Sequence, residues 1–286
     1  MVNISVNTKI AGVIGDPISH SLSPKIHNYL IKKYQIDGLY LPFKVEPQNL
    51  GSTVKTFAYL GLRGFNVTLP HKEKMVKICD HLSKSALDIG AVNTVIITPD
   101  RKLFGHNSDG VGFINNIKYH APNFNFKGKN IVVLGAGGAT RAVIYALLQE
   151  EVKKIVISNR SSERAQILIN DFAPKFKKSE LNFVVWEQKE SALKDCDLLI
   201  NCTSLGMVGR EKLAIDLTAL NKEAIVTDIV YQPLMTDFLV DAQKHGHKIV
   251  TGIGMLINQA LIGFEAWYGV KPEVDEELIN SLKITA

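Results

Sequence analysis

The stretch from Asn130 to Leu148, NIVVLGAGGATRAVIYALL, decides the fold class of this chain. Ile131–Leu134 is a short apolar run, the glycine-rich segment Gly135–Gly138 follows it directly, and a helical pattern continues to Leu148. A buried strand, a tight glycine turn and a helix in this order form the first half of a βαβ unit. Such units build mostly parallel sheets with helices on their faces, so the stretch predicts an α/β fold.

The glycine turn also predicts a ligand. Glycines let backbone N–H groups approach a pyrophosphate, and the helix N-terminus offers partial positive charge. The residues of this cofactor loop are Gly135, Ala136, Gly137, Gly138 and Ala139. Thr140 stands where a third glycine is common, and an ordinary tight turn between strand and helix is the alternative. The context favours a dinucleotide site.

The end of the next strand indicates which dinucleotide. NAD-binding domains usually place an Asp or Glu there to hold the ribose hydroxyls, and this chain has none. It has instead two arginines, an amide and a hydroxyl, namely Asn159, Arg160, Ser161 and Arg164. Guanidinium groups bind phosphate bidentately, so we interpret the cluster as an NADP pocket. The alternative is a pair of surface arginines that cap a helix.

Strand-like and helix-like segments alternate along the rest of the chain. The first half predicts strands at Lys9–Ile14, Leu39–Val45, Gly64–Leu69 and Val92–Ile97, and helices at Ser23–Tyr34, Leu50–Leu60 and Lys72–Ile89. After a polar stretch at 121–129, further strands are predicted at Asn130–Leu134, Lys154–Ser158, Asn182–Trp186, Leu198–Asn201, Ile225–Asp228 and Lys248–Val250. With 286 residues and ~150 per domain, we expect two domains. The first is an α/β domain with a mostly parallel sheet, and the second is a Rossmann-like, doubly wound domain.

Composition and charge exclude several classes of function. The net charge is +5, but the lysines are scattered, so we expect no nucleic-acid partner. The most apolar stretch, 131–148, is interrupted by Arg141 and glycines, so we expect no membrane span. The three cysteines have no metal-ligand spacing, so we expect no metal and a reducing, cytoplasmic location. The mild positive balance suits small anions as ligands.

Polar side chains of the first half follow predicted strands, where α/β sheets bind ligands. They are Ser21, Ser23, Thr68, Lys72, Asn93 and Asp109. Lys72 and Asp109, the latter in a glycine-bounded turn, come from separate loops that can converge, although both residue types are more often surface charges. For Ser23, which precedes a proline, a helix N-cap is the favoured interpretation, and the two roles can coexist.

An ordered series of motifs resembles the shikimate dehydrogenase family from Ile10 to about Tyr268. The resembling segments are VIGDPISHSLSPKIHN, NVTLPHK, GAVNT, GHNSDGVGF, VVLGAGGATRAV, SNRSSERA, NCTSLGM, DIVYQPLMT and GIGMLINQA. Three positions depart from the family pattern: Ser108 and Ser161 replace a usual threonine, and Thr251 replaces a usual Asp or Asn.

The resemblance implies roles for individual residues. Lys72 is the implied catalytic lysine and Asp109 its charged partner. The implied substrate-binding residues are Ser21, Ser23, Thr68, Lys72, Asn93, Asp109, Tyr231 and Gln259, with Gly254 beside them. The implied NADP-binding residues add Thr203, Met207, Ile229, Gly252 and Met255 to those of the glycine loop and the arginine cluster. The implied substrate domain is 1–108 plus 253–286, the NADP domain is 109–252, and residues 254–286 are expected to pack against the first domain.

The resemblance also implies an activity. The family members are NADP-dependent oxidoreductases that interconvert shikimate and 3-dehydroshikimate, a step in aromatic amino acid biosynthesis, without a metal. We expect a monomer or a homodimer. The alternatives are a quinate/shikimate dehydrogenase, which would need room for one more hydroxyl, and a non-catalytic protein that senses NADP.

Overall fold

The computed structural model describes residues 4–282. The chain divides into two compact units, of which the first ends at Asp109 and resumes at Ile257, and the second runs from Gly110 to Leu256. Asp109 thus falls in the first unit, because its side chain bonds to Lys72 and Asn93. Residues 253–256, which the sequence assigns to the first domain, fall in the second, where Met255 packs into the hydrophobic core.

The first unit has a six-stranded mixed sheet. Its strands are β1 Lys9–Gly15, β2 Gly38–Lys44, β3 Gly64–Val67, β4 His81–Leu82, β5 Thr94–Ile97 and β6 Leu103–His106, in the order β2-β1-β3-β5-β6-β4. Pairs β1/β2, β1/β3 and β4/β6 are parallel, whereas β5 runs antiparallel to β3 and β6. The helices before Asp109 are α1 Ser23–Lys33, α2 Leu50–Tyr59, α3 Lys72–Met75 and α4 Lys84–Ile89.

The predicted single helix Lys72–Ile89 is wrong. The segment splits into α3, β4 and α4, because its middle joins the sheet beside β6. The backbone N–H of Asp80 donates to Leu103 O at 2.9 Å, and that of Ser83 donates to Gly105 O at 2.8 Å. Helical periodicity does not reveal such a non-local pairing, and the sequence analysis did not predict β6.

The chain returns to the first unit through α9 Ile253–Tyr268 and α10 Glu276–Ser281. The Trp267 indole donates to Val95 O at 3.0 Å, and the Tyr268 hydroxyl donates to Leu39 O at 3.0 Å. The expected return of the last helices therefore holds from Ile257 onward. The prediction that residues 254–286 pack against the first domain also included residues 283–286, which lie outside the described residues.

The second unit contains a six-stranded sheet in which every pair is parallel. Its strands are β7 Asn130–Leu134, β8 Lys154–Asn159, β9 Glu180–Val185, β10 Leu198–Asn201, β11 Ile225–Asp228 and β12 Lys248–Val250, in the order β12-β11-β10-β7-β8-β9. Its helices are α5 Asp109–His120, most of which lies in this unit, α6 Gly138–Gln149, α7 Ser162–Phe172 and α8 Asp237–Lys244. The order reverses at β7, the strand that the glycine loop follows, so the doubly wound prediction is confirmed.

Both faces of the second sheet are buried. Ile131 and Val133 of β7 belong to one hydrophobic cluster, whereas Val132 and Leu134 belong to another. A strand buried on both faces reads as a continuous apolar run, which explains why this strand is so clear in the sequence. In the part of the chain that the structure describes, no helix is both long and apolar enough to cross a bilayer.

Candidate active site

The first unit brings Lys72 and Asp109 together. Lys72 Nζ donates to Asp109 Oδ2 at 2.6 Å, and the two side chains are only 15% and 7% exposed. The surface-charge alternative is therefore wrong for both residues. A half-buried ammonium beside a carboxylate is an arrangement that can bind a hydroxyl and exchange its proton.

Asn93 holds this ion pair in place from the loop before β5. It is buried, and its Nδ2 donates to Asp109 Oδ1 at 2.8 Å. The same amide also lies 3.0 Å from Ser108 Oγ and 3.2 Å from Gln259 Oε1. One side chain thus connects the segment Ser108–Asp109 to Gln259.

Asp109 is the first residue of α5 and does not lie in the predicted glycine-bounded turn. Its backbone N–H donates to Asn107 Oδ1 at 3.1 Å, and Asn107 Nδ2 in turn donates to Ala91 O at 2.8 Å. The chain therefore leaves β6 with a side chain that fixes the start of the helix. A carboxylate at a helix N-terminus is stabilised by the helix dipole.

Ser108 and Gln259 complete the polar cluster of the first unit. The Ser108 hydroxyl donates to Gln259 O at 3.1 Å, and the Ser108 N–H donates to Asn93 Oδ1 at 2.9 Å. Serine at this position thus retains the hydroxyl that a threonine would supply. Gln259 is 6% exposed on α9, so its side chain is held among these partners.

Ser21 lies in the segment between β1 and α1, Ser23 begins α1, and Thr68 directly follows β3, the neighbour of β1. Ser23 is not the helix N-cap, because α1 begins at Ser23 and Leu22 occupies the cap position. Ser21 Oγ instead accepts from Ser23 N at 3.3 Å. Thr68 packs so tightly on Gly15 that no Cβ fits at Gly15, which holds the loops after β1 and β3 together.

His71 serves as a structural anchor. Its side chain is fully buried, and Nε2 donates to Val45 O at 2.7 Å in the tautomer that this contact requires. Tyr231 and Gly254, two residues that the resemblance implied near the substrate, belong to the second unit. Burial raises the pKa of Tyr231.

The glycine loop forms the turn between β7 and α6 as predicted. Gly135 has φ of 113°, a conformation that favours glycine, and a Cβ there would lie 3.0 Å from Cys202 backbone atoms. The Gly137 N–H donates to Thr140 Oγ1 at 3.1 Å. Thr140, which replaces the third glycine, therefore closes the loop with its hydroxyl. The loop places Ala136, Gly137, Gly138 and Ala139 at the N-terminal end of α6.

The second unit has a pocket of about 350 Å³ at the carboxyl end of β8. It is lined by Asn159, Arg160, Ser161, Arg164, Trp186, Thr203, Ser204 and Leu205. Ser161 Oγ accepts from Arg164 N at 3.4 Å as the N-cap of α7, and Asn159 Nδ2 donates to Ser161 O at 2.9 Å. Ser161, like Ser108, thus keeps the function of a threonine hydroxyl. Two guanidiniums and several neutral donors make the pocket suited to a phosphate dianion.

Sequence reasoning missed three residues of this pocket: Trp186, Ser204 and Leu205. Arg160 lies over the Trp186 ring, 6.0 Å from its centroid, and 3.8 Å from the Glu211 carboxylate. Trp186 follows β9, which pairs with β8. A signal was available, because the carboxyl ends of adjacent parallel strands lie side by side.

The remaining predicted cofactor residues lie elsewhere in the second unit. Met207 is 37% exposed in the loop after β10, and Ile229 follows β11 with its N–H on Asn201 O at 3.0 Å. A Cβ at Gly252 would lie 2.6 Å from Ile229 backbone atoms, so glycine is required there. Met255 is 7% exposed in the core.

Two further observations concern ligands and substitutions. Within residues 4–282, no three His, Cys, Asp or Glu side chains are grouped so as to hold a metal ion. Asn116 Nδ2 donates to Thr251 O at 2.8 Å, but this is a backbone contact, and nothing in the structure explains the threonine side chain. The first unit thus holds an ion pair with hydroxyl and amide donors, and the second unit holds a pocket lined by two guanidiniums.

Comparison with known proteins identifies the family. Residues 13–95 match the family model described as the shikimate dehydrogenase substrate binding domain, and residues 118–231 match that of shikimate / quinate 5-dehydrogenase. The NADP-dependent shikimate dehydrogenase of Dinoroseobacter shibae is 43% identical over 273 residues, which cover 96% of each chain.

Solved structures agree. A shikimate dehydrogenase crystallised in complex with NADP+ is 36% identical with a TM-score of 0.89, and the match covers 99% of this chain and 98% of that one. Shikimate dehydrogenase from Aquifex aeolicus is 34% identical with a TM-score of 0.88, and the match covers 99% of this chain and 100% of that one. The chain therefore belongs to the shikimate dehydrogenase family.

Proposed function

We propose that this protein is an NADP-dependent shikimate dehydrogenase, which reversibly reduces 3-dehydroshikimate to shikimate. The observation that carries the proposal is the Lys72–Asp109 pair, held at 2.6 Å and largely withdrawn from solvent. A non-catalytic NADP sensor has no need of such a pair or of the amides around it. The family membership and the phosphate-type pocket support the same conclusion.

Lys72 and Asp109 are the proposed catalytic residues. Oxidation of a secondary alcohol removes a hydride from carbon and a proton from oxygen. Lys72 stabilises the charge that develops on the reacting oxygen; it takes the proton of the hydroxyl during oxidation and returns a proton to the oxygen during reduction. Asp109 orients the lysine and accepts a hydrogen bond from the hydroxyl. Positioned acid–base groups of this kind contribute about 100- to 10,000-fold to the rate.

The other polar residues of the first unit orient the substrate. Asn93 and Gln259 present amide groups, and Ser21, Ser23 and Thr68 present hydroxyls suited to a ring that bears hydroxyls and a carboxylate. Tyr231 is proposed as a further substrate residue on the strength of the family resemblance. In this set the amides are already bonded to one another, so the site is preorganised before the substrate arrives.

The second unit fits NADP at two places. The turn Gly135–Ala139 leads into the N-terminus of α6, where a pyrophosphate is favoured. The arginine pocket matches the 2′-phosphate that distinguishes NADP from NAD, with Arg160 and Arg164 as its charged donors. Thr203, Met207, Ile229, Gly252 and Met255 are proposed for the remainder of the cofactor. When bound, NADP donates or accepts the hydride.

The principal rival is a quinate dehydrogenase, since one matching family model covers shikimate and quinate enzymes. Quinate carries one more hydroxyl beside its carboxylate, and a quinate enzyme often prefers NAD. The two arginines of the pocket favour NADP, because NAD has no phosphate for them to bind.

The decisive experiment is a steady-state comparison of shikimate and quinate with NADP and with NAD as the oxidant. We expect the highest kcat/KM for shikimate with NADP. Faster turnover of quinate with NAD would refute the proposal. Folded protein without any shikimate-dependent formation of NADPH would favour the sensor instead.

Location and assembly are proposed only in outline. Cys79, Cys196 and Cys202 are free thiols, and burial raises the pKa of Cys79 and Cys196 to about 12. Free thiols suit a reducing compartment, so we expect the protein in the cytoplasm, as a monomer or a homodimer.

A further inference from the structure

The carboxylate of Asp228, at the end of β11, lies in the core of the second unit. Asp228 is fully buried, yet no cation contacts it among the described residues. Three neutral donors converge on it: Asn201 Nδ2 at 3.0 Å, Val230 N at 2.9 Å and Thr236 Oγ1 at 2.8 Å. Burial raises the pKa of Asp228 to about 6. A carboxylate is costly in such surroundings unless its partners satisfy it, and a hydrophobic residue would cost less.

The partners of Asp228 lead to the wall of the phosphate-type pocket. Asn201 is fully buried at the end of β10. Its Nδ2 donates to Leu205 O at 3.1 Å as well as to Asp228, and its Oδ1 accepts from Thr203 N at 3.0 Å and Thr203 Oγ1 at 2.7 Å. Thr203 and Leu205 both line the pocket. The amide of Asn201 therefore holds the loop at both ends, and Asp228 anchors that amide by accepting its second N–H.

Three of the four hydrogen bonds of the Asn201 amide go to Thr203 and Leu205, and the fourth goes to Asp228. An amide group can rotate so that its oxygen and nitrogen exchange places. Leu205 O and the Thr203 N–H set which way round this amide lies, and Asp228 Oδ1 accepts its remaining N–H, which anchors the amide to the end of β11. The opposite orientation would place a donor against the Thr203 N–H, which already needs an acceptor.

We propose that Asp228 is a positioning residue for the phosphate end of the cofactor, acting through Asn201 on the loop of Thr203, Ser204 and Leu205. The inference rests on the proposed function, because it takes the 2′-phosphate of NADP as the occupant of the pocket. Asp228 itself is not among the pocket-lining residues. Asp228 acts on the pocket only by holding the loop of Thr203, Ser204 and Leu205 in its position.

The test is calorimetric binding of 2′,5′-ADP, a fragment that carries the distinguishing phosphate, to the full-length protein. Asp228→Ala removes the acceptor, and we expect its Kd to rise by about tenfold or more, as when the residues that orient direct ligand contacts are removed. Asp228→Asn retains an acceptor for Asn201 and for Val230 and can donate to Thr236 Oγ1, so we expect its Kd within about threefold of the wild-type value.

Thr227→Val is the matched control. Thr227 is buried on the same strand, and its hydroxyl donates to Val250 O at 2.9 Å, away from the loop. This variant loses one buried hydrogen bond and is expected to lower the Tm without changing the Kd. If Asp228 were only structural, Asp228→Ala and Thr227→Val would both lower the Tm, and the Kd for 2′,5′-ADP would be the same in the two variants.

The affinities of the variants for 2′,5′-ADP either support the positioning role of Asp228 or overturn it. Unchanged affinity in folded Asp228→Ala, or an Asp228→Asn variant as weak as Asp228→Ala, would overturn the proposal. If Asp228→Ala does not fold, Asn201→Ala breaks the same link from its other end and must show the same loss. A wild-type protein that does not bind 2′,5′-ADP would instead refute the proposed NADP pocket.

Discussion

Replacement of Lys72 by methionine tests the proposed chemistry most directly. The change preserves most of the side-chain volume but removes the ammonium that lies 2.6 Å from Asp109 Oδ2. Asp109 also accepts a hydrogen bond from Asn93 Nδ2, which the change does not touch. The variant therefore isolates the charge and the proton of Lys72 from the shape of the site.

The expected magnitudes separate catalysis from stability. Loss of an acid–base group lowers kcat by about 100- to 10,000-fold, which is about 3–5 kcal/mol in the barrier. Breaking a fully buried ion pair costs about 3–5 kcal/mol of stability. Because Lys72 is 15% exposed and water can reach Asp109, we expect only about 1–3 kcal/mol here. Such a loss leaves a protein of ordinary stability folded.

The assay is steady-state formation of NADPH with shikimate varied, combined with urea unfolding of each variant. We expect kcat to fall and KM to change far less, because an interaction that strengthens in the transition state acts on kcat. Lys118→Met is a matched control, since Lys118 lies 2.7 Å from Glu150 in an exposed pair. Its kcat should be unchanged, and its stability should change by about 0–1 kcal/mol.

A Lys72→Met enzyme with near-normal kcat and a raised KM would show that the lysine only binds substrate and has no catalytic role. Asp109→Asn should also be slow. The double variant Lys72→Met/Asp109→Asn should lose little more than the slower single variant, because groups that act as a unit are not additive. Additive losses would show that the two residues have independent roles.

Three further predictions follow from the second unit. Arg160→Ala and Arg164→Ala should each lower the preference for NADP over NAD by about tenfold or more, measured as the ratio of the two kcat/KM values; equal losses with both cofactors would make these arginines surface caps. Burial raises the pKa of Asp228 from 3.8 to about 6, so the folded protein retains a proton that the unfolded chain has released, and stability falls as pH rises through that window. Asp228→Asn lacks this dependence, and urea unfolding at each end of the window should show it gaining up to about 3 kcal/mol relative to wild type as pH rises; a constant difference would disprove the raised pKa. Gly252→Ala places a Cβ 2.6 Å from backbone atoms of Ile229, and it should lower stability by about 1–3 kcal/mol in thermal unfolding, whereas an unchanged Tm would show that the loop yields freely.

The sequence by itself determined the features that depend on neighbouring residues. The apolar run Ile131–Leu134 and the turn beginning at Gly135 specify a buried strand and a glycine loop, because periodicity and backbone freedom are local properties. The arginines at 160 and 164 follow the predicted strand Lys154–Ser158 within a few residues, so the sequence also predicted that they cluster. The family motifs added the roles proposed for Lys72 and Asp109, which spacing alone left open.

Only the tertiary structure decided the features that depend on contacts between distant segments. His81–Leu82 became a strand inside a helix-like segment, because β6 offered an edge for it to pair with. Trp186 joined the arginine pocket because β9 lies beside β8. Asp228 is in the sequence one more polar residue at the end of a predicted strand, yet the fold buries it against Asn201. Sheet pairing and burial are set by the whole chain, so no local pattern could reveal that this carboxylate is held by three neutral donors.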